Sequence, residues 1–498
     1  NDYKFTDITE AYQVSFKHNE DDFDDFLNEP LLPHRNSRLG AALTVGDVNN
    51  DGLDDFFVGN AKGSPAKLFL QNSKGNFSEL PGPWNHESDF EDTGALLFDA
   101  DNDNDLDLYV VSGGNDPSAQ DYMYQDRLFI NTSKVFIKAE NALPKMPTSG
   151  LIVISADYDA DGDIDLFVGG RLVPGAYPSP ATSYILRNDG GTDLDITYTD
   201  VTTDIAPELH KAGLVTSALW DDFDLDGKID LIVTGEWMPI RFFKNTGNQF
   251  KEVTESLGFE KTRGWWNTLQ KVDVDNDGDL DYLAGNLGLN YKYKTSKEAP
   301  FDIYANDFDE NGSVDIVLSY QKKGTKLPLR GRECSSQQVP AIKQRFETFE
   351  SFANADLNDI YGEGMLNNSL HYSVDTFAHH WIENKGDGSF QKHQLPNASQ
   401  FSSINSLLPI KYNEDSVSDI IVGGNQYQSE IETPRADASI GLVLIGGKKP
   451  QVVTTSESGL FVTGEIKKIV RIHLGIDQKE AFLFARNNDN LKLVTLKN

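Results

Sequence analysis

The chain has 498 residues and carries 78 Asp and Glu against 44 Lys and Arg, a formal charge of −34 with a pI near 4.5. That acidity, with no basic patch to offset it, excludes nucleic acid and anionic membrane as partners. The length exceeds a usual single core and leaves several domains or one large repeat architecture, while 38% hydrophobic residues, 29 Phe and 18 Tyr exclude a disordered chain.

The lone cysteine, Cys334, excludes an internal disulfide framework and a cysteine-based zinc site, and leaves the redox compartment open. No stretch approaches about 18 consecutive apolar residues, so no membrane-spanning helix is expected. No signal peptide is visible, and the start at Asn1-Asp2 reads as a mature or trimmed end, which leaves room for surface anchoring through a missing N-terminus.

In chain order, Phe5-Thr-Asp-Ile-Thr9 resembles a later strand end, Glu252-Val-Thr254, and is expected to close a ring beside the tail. Gly40–Gly46 reads as a strand and runs into Asp47-Val-Asn-Asn-Asp-Gly-Leu-Asp-Asp55, an acidic phrase with Asp or Asn at i, i+2, i+4 and i+8. The phrase recurs five times. The first copy uses Asp47, Asn49, Asp51 and Asp55; the second Asp99, Asp101, Asp103 and Asp107; the third Asp157, Asp159, Asp161 and Asp165. The fourth uses Asp222, Asp224, Asp226 and Asp230; the fifth Asp273, Asp275, Asp277 and Asp281; the sixth Asp307, Asp309, Asn311 and Asp315.

Side chains at i, i+2 and i+4 converge from one side, the i+6 carbonyl fills a gap and the i+8 carboxylate closes the shell. Calcium takes about six to eight oxygens at about 2.3–2.6 Å, and this set supplies most of them. Gly at i+5 permits the turn in five copies, and Asn104 takes its place in the second. About six calcium sites are expected, which would reduce the charge from −34 to −22. Sites of this type fill at millimolar calcium, which favours an extracellular, periplasmic or cell-surface setting.

The flanks of the phrase set the fold. Each copy is followed by a short apolar run such as Asp165-Leu-Phe-Val-Gly-Gly170, and often by a hairpin with an Asn/Gly turn, as in Phe242–Phe250 and Trp381–Phe390. An EF-hand needs flanking helices and a glutamate at position 12; a dockerin places its phrase on helices. Strand flanks exclude both. The remaining alternative is a set of solvated acidic turns without metal.

Successive copies start 52, 58, 65, 51 and 34 residues apart, a propeller-like spacing. The predicted fold is all-β: a β-propeller of four-stranded blades, seven in the first reading and eight in the alternative, over residues 1–498 as a single domain. The step of 34 leaves little room for an outer hairpin, so one blade is expected to be incomplete. A degenerate seventh phrase, Lys411–Asp419, starts with a lysine whose ammonium is expected to replace the cation, and the tail offers an eighth unit. Residues 321–376, containing the helix-like Ala341–Phe352, read as a partly helical insertion.

With these motifs in hand, the chain resembles the FG-GAP/VCBS calcium-loop propellers, which include integrin α-subunit heads. It is most similar to bacterial VCBS proteins related to cartilage acidic protein, through Glu29-Pro-Leu-Leu-Pro33, Gly46–Gly52, Gly285-Asn-Leu-Gly-Leu-Asn290 and Arg332-Glu-Cys-Ser-Ser-Gln-Gln338. The resemblance covers essentially the whole chain and implies a secreted or surface-attached propeller with calcium in its inter-strand loops. No ASPIC/UnbV-like carboxy-terminal module is recognised within these residues, so functions tied to it are not carried over.

Arg263, Trp265, Trp266, Asn286, Asn290, Arg330 and Arg332 are the candidate ligand-binding residues, since aromatic faces beside Arg and Asn suit sugar or peptide; for the tryptophans the alternative is blade packing. His371, His379 and His380 suggest zinc less than ordinary structural histidines. The motifs of serine hydrolases, HExxH metalloproteases and phosphate-binding loops are missing, and no catalytic residue is assigned. The expected function is a non-catalytic binding or adhesion module for a glycan or protein ligand. The alternatives are a polysaccharide lyase using Arg263, Arg330, Arg332 and Tyr291, and a scaffold module of a surface assembly.

Overall fold

The computed structural model describes residues 3–497, so the Asn1-Asp2 end lies outside the described residues. These residues form eight four-stranded antiparallel sheets, the alternative count, one of them with a short fifth strand, Gly264–Trp265. Seven sheets surround a central channel. Their innermost strands are Leu43–Gly46, Asp92–Phe98, Ser149–Ala156, Leu214–Asp221, Thr268–Val272, Ile404–Ile410 and Ile466–Leu474. Each packs beside the next in that order, and the last returns to the first.

The second strand of each ring sheet is buried on both faces, which explains its unbroken apolar run. In Asp55–Val58, Phe56 and Val58 pack against Ile472, Leu483 and Leu493 of the last sheet. Phe57 faces the other way, onto Trp84, Leu108 and Phe129. The ring closes as expected: Phe5–Asp7 pairs with Lys492–Leu496 in the register Phe5↔Leu496 and Asp7↔Val494, so the two ends of the chain complete one sheet.

The eighth sheet is nested inside another. Asp281–Gly285 pairs with His380–Asn384, not with the strand next in sequence. Between them run Phe301–Asn306, Asp315–Lys322, Thr325–Pro328 and Leu370–Val374, a sheet of their own. The blade holding the fifth acidic loop is therefore complete, a correction to the incomplete blade expected from the 34-residue step: its outer hairpin, His380–Asn384 and Phe390–Gln394, arrives after the nested sheet. That sheet holds the sixth acidic loop off the channel.

The helical part of segment 321–376 is confined to five short helices between Arg332 and Asn367, and both ends of the segment are strands. The helix-like run Ala341–Phe352 splits into Ala341–Arg345 and Phe349–Ala353, because Thr348 caps the second by accepting from Ser351 N at 3.1 Å. Ile342, Phe352, Leu357 and Ile360 pack on Tyr304 and Val317 on one face of the nested sheet. Its other face, with Phe301, Ile303 and Leu318, meets Leu172, Leu214, Trp237 and Trp265 of the ring. Among the described residues no helix is long and apolar enough to cross a membrane.

Candidate metal centres

Register fixes each acidic loop at the same length. Residue i−1 pairs with i+8 in every copy: Gly46↔Asp55, Phe98↔Asp107, Ala156↔Asp165, Asp221↔Asp230, Val272↔Asp281 and Asn306↔Asp315. The backbone is left-handed at i+3 as well as at i+5, with φ of 56° at Asn50, 62° at Asn102, 63° at Ala160, 58° at Leu225, 61° at Asn276 and 61° at Glu310. Asn suits that conformation; the i+3 requirement escaped the sequence reading because Ala160, Leu225 and Glu310 do not signal it.

The first aspartate folds the loop. Asp157 accepts from Asp161 N and Gly162 N, both at 3.1 Å, and Asp47, Asp99, Asp222, Asp273 and Asp307 repeat these bonds to i+4 and i+5. The last aspartate ties the loop to the sheet. Asp107 accepts from Ala100 N and, across the blade, from Asn131 N, both at 2.8 Å. Asp55, Asp165 and Asp281 do the same with the matching amides.

In the second to sixth loops the carboxylates at i, i+2 and i+8 bring one oxygen each within 4.8 Å of one another. The first loop has Asn49 at i+2. The i+4 side chains Asp51, Asp103, Asp161, Asp226, Asp277 and Asn311 stand outside these triads, each accepting from the amide of i+6. The i+2 oxygen is the telling atom: Asn49, Asp101, Asp224, Asp275 and Asp309 each hold a buried Oδ1 with no hydrogen-bond partner. An acceptor-only cluster with an unsatisfied buried oxygen fits a hard cation.

Without one, the i+8 carboxyls are costly to ionise. Burial, with neighbouring carboxylates adding, pushes Asp107 up to about 8, Asp55, Asp165 and Asp230 to about 7, and Asp281 and Asp315 to about 6.

Two lysines break the pattern. Lys411 Nζ donates to Ser416 O at 2.6 Å and to Val417 O at 3.0 Å, so in the seventh phrase the ammonium takes the i+6 carbonyl. Lys244, which the sequence did not flag, reaches into the fourth loop, pairing with Asp224 and, at 3.0 Å, with Asp226.

The other candidates lie around the nested sheet. Trp265 is 4% exposed and Trp266 1%, each in a hydrophobic cluster, and Asn286 is buried, accepting from Trp265 N at 3.1 Å. Packing and backbone bonds take up their surfaces, except for Trp265 Nε1, which has no partner. Asn290 is exposed and donates to Phe401 O at 3.3 Å. Arg263 holds Asp375 through two nitrogens, Arg332 holds Glu333 and Phe346 O, and Arg330 is buried on Glu430 at 2.7 Å. Tyr291 lies beside Arg330 and Glu430, its hydroxyl 2.6 Å from Ser429 Oγ. His379 is buried between Asn286 N and Ser402 O, and burial holds its pKa down at about 3, a neutral structural histidine.

A family model described as an FG-GAP-like repeat matches residues 47–110 and 222–284, and each match opens on the first aspartate of an acidic loop and spans two loops. No curated protein matches the chain. Among solved structures, the V. cholerae biofilm matrix protein Bap1 is similar at 9% identity and a TM-score of 0.39, over 100% of this chain and 92% of that one. The Dos1 propeller follows at 10% identity and 0.37, over 97% and 96% of the two chains, and YCF48 bound to D1 peptide at 8% and 0.40, over 97% and 98%. Likeness this low transfers none of their properties.

Proposed function

This chain is a β-propeller carrying FG-GAP-like repeats, and from that premise we propose that it is a calcium-loaded, non-catalytic binding or adhesion module for a glycan or protein ligand, working outside the cytoplasm. Residues 1–498 act in this reading as one propeller unit, and about six calcium ions fill the acidic loops as structural cations. The carrying observation is the partnerless buried oxygen at i+2, repeated in five loops, four of which also cluster three carboxylates. A cation there removes repulsion on the order of several kcal/mol per loop at an effective dielectric near 20. The ring and the loops together form a rigid disc, the kind of scaffold on which connecting loops recognise partners.

The test is thermal melting across a calcium titration. At about ten times Kd each filled site adds about 1.4 kcal/mol, so calcium at about 10 mM should raise the midpoint by roughly 5–10 °C over EDTA. An unchanged midpoint would sink the metal reading. For the binding role, a glycan array run with an ultraviolet assay for unsaturated uronate separates a binding module from a lyase: captured glycan without product absorbance is expected, and product absorbance overturns it.

A further inference from the structure

The channel encloses a cavity of about 500 Å³, lined by the inner strands of all seven ring sheets and by His34, Arg35, Arg38 and Leu39. Its wall runs against the charge of the molecule. In a chain of net charge −34, the lining holds six cationic side chains and a single carboxylate, Glu236.

Glu236 is already committed. It pairs with Arg171, accepts from Tyr177 Oη and lies 3.0 Å from His34 Nε2. Against the effect of burial, His34 and Arg171 hold its carboxyl down at about 2. Three of the cations have acids outside the wall: Arg35 with Asp24, Lys467 with Glu465 and Arg471 with Glu480. Arg38 donates to a backbone oxygen, Asp21 O, at 3.1 Å. Burial raises the nearby Glu20 carboxyl, and Arg38 makes no ion pair among the described residues. The Lys468 side chain opens onto the cavity with no hydrogen bond or ion pair among the described residues.

The unsatisfied atoms agree in sign. Five buried polar side-chain atoms of the lining residues lack a partner: Arg35 Nε, Arg38 Nε, Arg171 Nε and Nη1, and Trp265 Nε1. All five are N–H donors, so the missing partners are acceptors. A narrow low-dielectric channel concentrates such a field, and the volume lies in the range of small-molecule sites, about 300–1,000 Å³.

We propose that the channel binds a small organic oxyanion, its carboxylate or sulfate group drawn in by the cationic wall and held by the unpaired amine of Lys468, its body against the aliphatic wall. This goes beyond the function proposed above and does not depend on it: the channel needs no adhesion partner, and the loops need no channel ligand.

The experiment is calorimetry on the full, calcium-saturated chain with three probes of like size: glucuronate, glucose 6-sulfate and glucose. At least one anion should bind about tenfold or more tightly than glucose, and weaken as salt rises from about 0.05 to 0.5 M. Glucuronate alone assigns a carboxylate ligand, the sulfate ester alone a sulfated one, and both a general oxyanion site. Lys468→Gln removes an amine with no partner and should cost about tenfold in affinity while keeping the wild-type melting shift with calcium; Lys74→Gln, in an exposed turn, should change neither. Failure of both anions to bind, equal affinity for glucose, or an unaltered affinity in Lys468→Gln overturns the proposal. None of these results bears on the calcium reading, which the wild-type melting shift decides separately.

Discussion

The loops at 157–165 and 411–419 sit in equivalent hairpins of the ring and solve one electrostatic problem in two ways. Both are closed by an i−1 to i+8 pair, Ala156↔Asp165 and Ile410↔Asp419, and both tie the final carboxylate to the i+1 amide and to the third strand or the residue just after it. The acidic loop collects three carboxylate oxygens within 4.8 Å and has no cation of its own. The other loop starts with Lys411, whose ammonium binds two loop carbonyls. In the proposed reading the hairpin takes a positive charge at its tip, from a side chain or from solution, and only the second kind would make the fold depend on calcium.

Removing the shared aspartate should separate these cases most sharply. Asp165→Ala frees two amides and opens a cation site, so chemical denaturation in calcium should show a loss of about 3–4 kcal/mol, falling by about half in EDTA. Asp419→Ala frees the matching amides alone; its loss of about 1–2 kcal/mol should be the same with and without calcium. Equal calcium dependence in the two variants would break the comparison. The reverse experiment builds a site. Lys411→Asp supplies the missing first carboxylate to Asn413, Asp415 and Asp419 at i+2, i+4 and i+8, yet neither Glu414 nor Ser416 has the positive φ found at i+3 and i+5 elsewhere. Calorimetric stoichiometry should therefore stay unchanged in Lys411→Asp and rise by one ion when Ser416→Gly is added.

The ring was largely legible in the sequence, because its strands are buried on both faces and its loops repeat at side-chain resolution. The nesting was not. Pairing of Asp281–Gly285 with His380–Asn384 joins residues about 100 positions apart, and a non-local pair leaves no trace in local periodicity. One signal was present: the Trp381–Phe390 hairpin has no acidic loop just before it, while the 34-residue step between the fifth and sixth loops lacks a hairpin. The acidic loops were readable to the residue type, whereas the left-handed i+3 turn and the reach of Lys244 depend on backbone and side-chain geometry. The channel wall was out of reach, since seven separate strands contribute to it.

Protons offer a third way to quiet the acidic loops. A carboxyl whose folded pKa is raised above its unfolded value, as at Asp107 (about 8) and Asp165 (about 7), binds its proton more tightly in the folded chain. Its stabilising contribution is complete below the unfolded pKa and is lost as pH rises through the folded one. In EDTA the melting midpoint should therefore climb as pH falls from about 8 to about 6, before burial of His379 begins to cost. In saturating calcium the climb should shrink, because the metal holds the loop carboxyls ionised, while buried acids outside the loops such as Asp126 (about 7) still titrate. A midpoint that falls over this range in EDTA would contradict the carboxyl assignment.

The smallest effect lies between the two kinds of loop. Lys244 sits on Asp224 and Asp226, so the fourth loop carries a partial internal cation that calcium must displace. A partly exposed pair contributes about 0.2–1 kcal/mol, which predicts that Lys244→Gln raises calcium affinity at this loop about twofold to fivefold and leaves the others unchanged. Competition with a fluorescent chelator would read one tightened site against five constant ones. A weakened site would show that Lys244 supports the loop from outside the coordination shell, and would remove the fourth loop from the series that runs from 157–165 to 411–419.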